Sequence, residues 1–272
     1  RWFESVIQGP DGRLPERWSA AQRAAVLAAA RLWLEFMPKG YQQAEPLLAA
    51  ALQSSPDADD QWKSDARILW VYCLAAAGRQ DQARQVLQEV GPGKPEVLLV
   101  LLEGLSRLGA GGAPEVRTQA AKLQLQTIQL LQNQSGRLGE AVERTVVRIQ
   151  AQALADAGQK QEALAAFRAA AQKYPKDSRI QEAYAQFCIE QAETALVEEG
   201  LRKWQEINRH APLSSPLWFR AQYGMCLAEC RLNRSEQALE RIRRLEILYP
   251  SLGGPELAAQ FRRLKTQHAK KN

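Results

Sequence analysis

Eighteen residues, GQKQEALAAFRAAAQKYP at 158–175, constrain this chain more than any other stretch, because their design returns five more times. Gly158 suits the left-handed conformation in which helices often end. Lys160 to Lys173 contains only good or neutral helix formers. Ala163, Phe167 and Ala170 fall at i, i+4 and i+7, on one face of a helix. Pro175 cannot continue that helix. About four helical turns with a single apolar stripe are not stable alone in water, so the stripe must be buried against neighbours.

Four more blocks of the same length end on proline, at 39–56, 78–95, 195–212 and 233–250. Their sixth position, with that of the first block, reads Ala44, Ala83, Ala163, Gly200 and Ala238, always tiny. The tenth reads Leu48, Leu87, Phe167, Trp204 and Ile242, always large and apolar. The thirteenth reads Ala51, Val90, Ala170, Ile207 and Leu245. A degenerate copy at 116–133 has Ala121, Leu125 and Ile128, with Asn133 in the proline's place. Block ends fall at 56, 95, 133, 175, 212 and 250. A recurring unit of this size predicts stacked helix pairs, each contacting only its neighbours.

The blocks resemble the tetratricopeptide repeat family, in which a helix pair carries a small residue, a large apolar one, alanine and proline at these spacings. Gly78, Gly158 and Asn233 match the turn between the paired helices. Ala151 and Leu154 match small and large positions of a first helix, and Val71 and Leu74 do so loosely. The period is longer than the family's roughly 34 residues at every step. The resemblance covers roughly residues 20–250. It implies an all-α fold, a right-handed α-solenoid of stacked antiparallel helix pairs with about six repeats. One domain is expected over 1–272. Residues 1–16 are the end of a preceding helix and its turn, 17–250 the repeats, and 251–272 a capping helix and basic tail.

Read from its start, the chain offers Trp2–Gln8 as a helix end and GPDG at 9–12 as a turn. Ser19 is an N-cap for a helix at 20–36. SSPDADD at 54–60 is a loop before a helix from about Trp62 to Ala77. Pro95 sits at the first turn of a helix running through Leu108, and its VLLVLLEGL run reads as a buried central helix. GAGGAP at 109–114 is expected to be a flexible joint, and a longer loop is expected at 133–136. Helices follow at about 139–157, 178–194 and 216–232. A last helix, PELAAQFRRLKTQH, carries Leu257, Phe261 and Leu264 as a stripe that covers the end of the array. The chain begins at Arg1 rather than Met, which reads as a fragment or processed product whose targeting signal could lie upstream. Cytoplasm and periplasm are both compatible with it. No run reaches the length of apolar residues that a membrane span needs.

The net charge of +6 is uneven. Residues 1–136 hold 14 basic and 14 acidic residues, whereas 231–272 hold 10 basic and 4 acidic. Arg241, Arg243, Arg244, Arg262, Arg263 and Lys265, with Lys270 and Lys271, carry most of the excess. Three readings stand for this cluster: a solvated end, a dock for an acidic protein, or a polyanion site. Phosphate contacts would make binding steeply salt-dependent, but stacking aromatics are not interleaved with these residues.

Little else points to chemistry. His210 and His268 lie outside metal-ligand patterns such as HExxH. Cys73, Cys188, Cys226 and Cys230 lie on first helices, where free cysteine behaves as a small apolar residue. Cys226 and Cys230 are four residues apart without the partners of a zinc site. Glu198 and Glu199 are expected to be solvated on different helix faces. GAGGA lacks the strand and GK[ST] of a phosphate loop. Seven tryptophans at helical spacing read as interhelix packing rather than a ligand cage. The expectation is a protein without catalytic activity, metal or cofactor.

The family resemblance also implies where a protein or peptide partner would bind, since first helices line the groove. By register, the outward positions are Asp65, Ile68 and Tyr72, then Arg148 and Gln152, Glu182 and Gln186, and Arg220 and Tyr223. The family's carboxylate clamp needs lysine and asparagine at set first-helix positions. Asn133, Asn208 and Asn233 fall in turns or second helices instead, so the chain is not expected to be a chaperone-tail receptor. Two functions follow: a scaffold that holds a protein segment in the groove, or a nucleic-acid or polyanion binder acting through the basic cluster.

Overall fold

The computed structural model describes residues 7, 14–37, 39–90, 94–133 and 139–269. The suggested helix end at 2–8, apart from Ile7, lies outside them, as do the GPDG turn, most of the loop at 133–136, Lys270 and Lys271. All regular structure among the described residues is helical. The helices group into two compact units, one of residues 1–139 and 152–159, the other of 140–151 and 160–272.

The first unit contains α1 (Ala20–Phe36), α2 (Tyr41–Gln53), α3 (Asp60–Ala76), α4 (Gln80–Gln88), α5 (Pro95–Gly111) and α6 (Pro114–Gln132). It also holds the end of α7 (Glu140–Asp156). Ser19 caps α1 as expected: its hydroxyl accepts the Gln22 N–H, and the Gln22 side chain accepts the Ser19 N–H at 3.0 Å. First helices α1, α3 and α5 touch one another, and second helices α4 and α6 do likewise. Two layers result, with the apolar stripes between them. Val97, Leu98, Leu101, Leu102 and Leu105 of α5 are wholly buried, which explains that helix's apolar run.

Two expectations for this unit are corrected. GAGGAP is not a joint: α5 continues through Gly111, and Gly109 is buried within reach of Ala120 on α6. Only Gly112 and Ala113 separate the helices, with Pro114 opening α6. In the degenerate block Leu125 is only half buried. Gln124 is buried instead, and its amide donates to the Ser106 hydroxyl at 2.7 Å and the Leu102 carbonyl at 3.3 Å. An amide at a core-facing position needs such acceptors, because an unbonded buried polar group costs about 1–3 kcal/mol.

The second unit contains the first part of α7, then α8 (Lys160–Lys173), α9 (Ser178–Glu190), α10 (Thr194–His210), α11 (Pro216–Arg231), α12 (Ser235–Leu248) and α13 (Pro255–Ala269). Phe167 on α8 packs against the rings of Tyr184 and Phe187 on α9, with centroids 6.2 and 4.9 Å away. Helix α13 lies on α11 and α12 and buries Ala258, Phe261 and Leu264 against them. Its direction comes from the turn at Leu252–Gly254, where three successive residues have positive φ. A Cβ on Gly253 would come within 2.7 Å of Phe219, so only glycine fits there.

In the five proline-ended blocks every small, large and third apolar position is buried. The turn positions also hold. Gly78, Gly158 and Asn233 have φ of 79°, 83° and 59°. In each case the following N–H bonds back to the carbonyl five residues upstream: Arg79 to Leu74, Gln159 to Leu154 and Arg234 to Glu229. This is the Schellman arrangement, which satisfies carbonyls a helix end leaves open.

Candidate partner-binding cleft

In the second unit, the exposed faces of α9, α11 and α13 enclose a cleft of about 750 Å³. Gln186 comes from α9, Arg220, Tyr223 and Leu227 from α11, and Gln260 and Arg263 from α13. Three residues expected at outward positions, Gln186, Arg220 and Tyr223, are thereby brought together. The fourth, Glu182, pairs with Arg220 in two bonds of 2.6 and 3.2 Å. That pair fixes the arginine and holds its charge firmly, since the carboxylate hydrogen bond raises its pKa. Gln186 donates to Glu190 at 2.6 Å. The Tyr223 ring meets the Phe261 ring edge-on at 5.2 Å, and burial pushes its phenol pKa up.

Trp204, a core residue of α10, also lines this cleft. It reaches there because Gly224 on α11 has no side chain: a Cβ would lie 2.4 Å from the indole. The indole Nε1 is buried and has no hydrogen-bond partner. Its place in the cleft was not legible from sequence, where tenth-position residues are all core.

The other outward positions fare differently. Asp65 and Ile68 are buried, which corrects the expectation that they face a partner. Asp65 accepts the Lys94 backbone N–H at 3.1 Å and the Gln61 amide at 3.0 Å, so it caps the start of α5. Tyr72 is half buried, and its ring lies against Gly104. Arg148 lines a separate opening of about 460 Å³ with Arg144, Lys176 and Arg179. Gln152 is exposed and donates to Asp156 at 3.1 Å.

The basic cluster is largely paired within the protein. Arg241 bonds the buried Glu229 at 2.7 Å, Arg244 bonds Glu240, and Lys265 bonds Glu246 at 2.6 Å. Arg262 donates to the Ala258 carbonyl. Arg243 is exposed on α12, and Arg263 faces the cleft. Four of these six residues, Arg241, Arg244, Arg262 and Lys265, therefore have partners within the protein.

Glu199 is likewise not a solvated acid. It accepts from Arg168 at 2.7 Å and from the hydroxyl of the buried Tyr184, and the arginine holds its carboxyl below the usual range. Such cross-links recur at about one repeat's separation: Glu45 with Arg79, Glu182 with Arg220, and Glu198 with Arg234. That spacing is a signal the sequence carried. The four cysteines are buried and unbonded to each other. Burial raises all four thiols, Cys230 to about 11 and Cys188 to about 12. His268 meets the Ser235 hydroxyl at 3.2 Å. Among the described residues, no group of three or more His, Cys, Asp or Glu side chains could hold a metal. No helix there is long and apolar enough to cross a membrane.

Comparison with known proteins gives the following. Residues 39–98 and 145–187 match two family models, each described as a tetratricopeptide repeat. No curated protein matches the chain. Among solved structures it is similar to pilF of Pseudomonas aeruginosa, at 14% identity and a TM-score of 0.44, over 88% of this chain and 98% of that one. It is also similar to Acl4, an assembly chaperone of RpL4, at 18% identity and a TM-score of 0.46, over 92% and 96% of the two chains. Both matched segments are built from the repeated helix pair, so this chain contains divergent tetratricopeptide repeats.

Proposed function

We propose that the protein is a non-enzymatic interaction scaffold and that the cleft between α9, α11 and α13 receives a segment of a protein partner. The observation that carries this reading is the convergence of Gln186, Arg220 and Tyr223 with Gln260 and Arg263 around one opening. A first-helix face that serves only as a solvated surface has no need of a concave, partly apolar recess beside a buried indole. The self-pairing of Arg241, Arg244 and Lys265 favours this over phosphate binding by the C-terminal cluster.

The test uses the full chain carrying a photo-crosslinking residue at Gln260, which is exposed. Tyr223→Ala is expected to remove a defined crosslinked protein partner while the variant keeps its helical signal. An unchanged set of crosslinks would sink the assignment. Adding nuclease and raising salt separates the second function, since capture through nucleic acid would vanish under either treatment.

A further inference from the structure

A second opening in the same unit has a different character. It is the recess of about 460 Å³ between the start of α7 and the turn that leads into α9. Arg144, Arg148, Lys176 and Arg179 line it, against one carboxylate, Asp177. That carboxylate caps α9, accepting the N–H groups of Arg179 at 3.1 Å and Ile180 at 3.2 Å. The neighbouring acids are engaged as well: Glu140 with Arg144, Glu143 with Lys173, and Glu182 with Arg220. Lys176 and Arg179 are exposed and make no side-chain ion pair or hydrogen bond among the described residues. The recess therefore carries an excess of positive charge, and two of its four cations have no partner in the fold.

We infer that this recess binds an acidic segment of a protein partner in extended form, with Asp or Glu side chains at alternate positions. The step goes beyond the cleft already proposed and takes from that reading only that the partner is a protein. Charge complementarity carries it, since four cations face one engaged carboxylate. Spacing supports the extended form. Arg144 and Arg148 lie one turn apart on α7, a rise of about 6 Å, close to the roughly 7 Å between alternate residues of an extended chain. Arg144 already bonds Glu140, but exposed pairs within one helix are weak and exchange readily. Two features oppose a nucleic acid. No aromatic ring lines the recess for bases to stack on, because Tyr174 is buried beneath Arg144, whose guanidinium lies 5.6 Å from the ring centre. A strand of phosphates running on along α9 from Arg179 would also meet Glu182 and Glu190 on the same face.

The experiment is a selection of random peptides of about twelve residues on the full chain, displayed between flanking residues. Recovered peptides are synthesised with both ends blocked and titrated by fluorescence anisotropy. The expected result is enrichment of Asp or Glu at alternate positions. Affinity should fall about tenfold when Lys176→Glu and Arg179→Glu are combined. Both side chains are exposed, and an acid in the first turn of α9 suits the helix dipole, so the variant should melt as wild type does. The pair Lys176→Gln and Arg179→Gln decides if it does not. Reversing Arg202 and Arg243 instead, which are exposed on second helices α10 and α12, makes the same change in net charge and should alter affinity less than about twofold, because distant charges are screened. Peptides free of acids, peptides indifferent to the Lys176 and Arg179 reversal, equal weakening by the control reversal, or no enrichment would each overturn the inference. So would a single-stranded oligonucleotide that displaces the peptides at lower concentration than they displace themselves, which would favour a polyanion. The groove reading is decided separately, by crosslinking at Gln260 and Tyr223→Ala, neither of which touches this recess.

Discussion

Phe167 shows what one repeated position does. It is fully buried, between the rings of Tyr184 and Phe187, and Ala163 and Ala170 on the same stripe let α9 approach. Removing the ring would leave a cavity that packed helices close only in part. Phe167→Ala is expected to lower the unfolding free energy by about 3–5 kcal/mol, read from urea melts. A loss under ~1 kcal/mol would show the core had collapsed around the gap, contrary to dense interior packing. The same position in α10 is Trp204, which serves the core and the cleft together. Core positions were legible because period and residue size repeat. Trp204's second role was not, because it depends on Gly224 lying across from it.

Among the elements, the turns carry the repeat as firmly as the helices. Gly158 has φ of 83° and ends α7 with two back-bonds, from Gly158 to Ala155 and from Gln159 to Leu154. Nothing crowds a Cβ there, so a substitution tests backbone conformation alone. Gly158→Ala is expected to cost about 1–2 kcal/mol, the penalty for placing an L side chain in the left-handed region. A melt identical to wild type would show that the turn relaxes out of that conformation. By contrast, GAGGAP looked like a joint because glycine weakens helices in general. Tertiary contact overrode that preference, since Gly109 sits in the close contact between α5 and α6.

For the molecule as a whole, buried thiols and cross-linked acids bound the pH range of stability. Arg168 holds the Glu199 carboxyl down, so its contribution is present above the ordinary carboxylate range and is lost as pH falls through the folded value. Burial pushes Cys188 up to about 12 and Cys230 to about 11, so their contribution is present below the ordinary thiol range and is lost as pH rises through those values. Urea midpoints are expected to be flat near neutrality and to fall on both sides. Glu199→Gln should flatten the acid limb, and Cys188→Ala the alkaline one. A thiol reagent should label the native protein slowly and the urea-unfolded protein fast, because the buried thiols are protonated and covered.

Sequence alone determined the helix pairs, their boundaries to within a few residues, the buried stripes and the left-handed turns. Each depends on residues within one or two turns of each other, and repetition makes that local pattern visible. It also placed Gln186, Arg220 and Tyr223 on one face, since register along a helix is a local property. Only the tertiary structure decided which charges are free and which positions meet. Asp65 was turned inward to cap α5, and the C-terminal cations were paired with Glu229, Glu240 and Glu246. Among the described residues of that cluster, Arg263 was left facing the cleft. Pairing and burial depend on distances between helices, and those are set by packing across repeats rather than by the pattern within one.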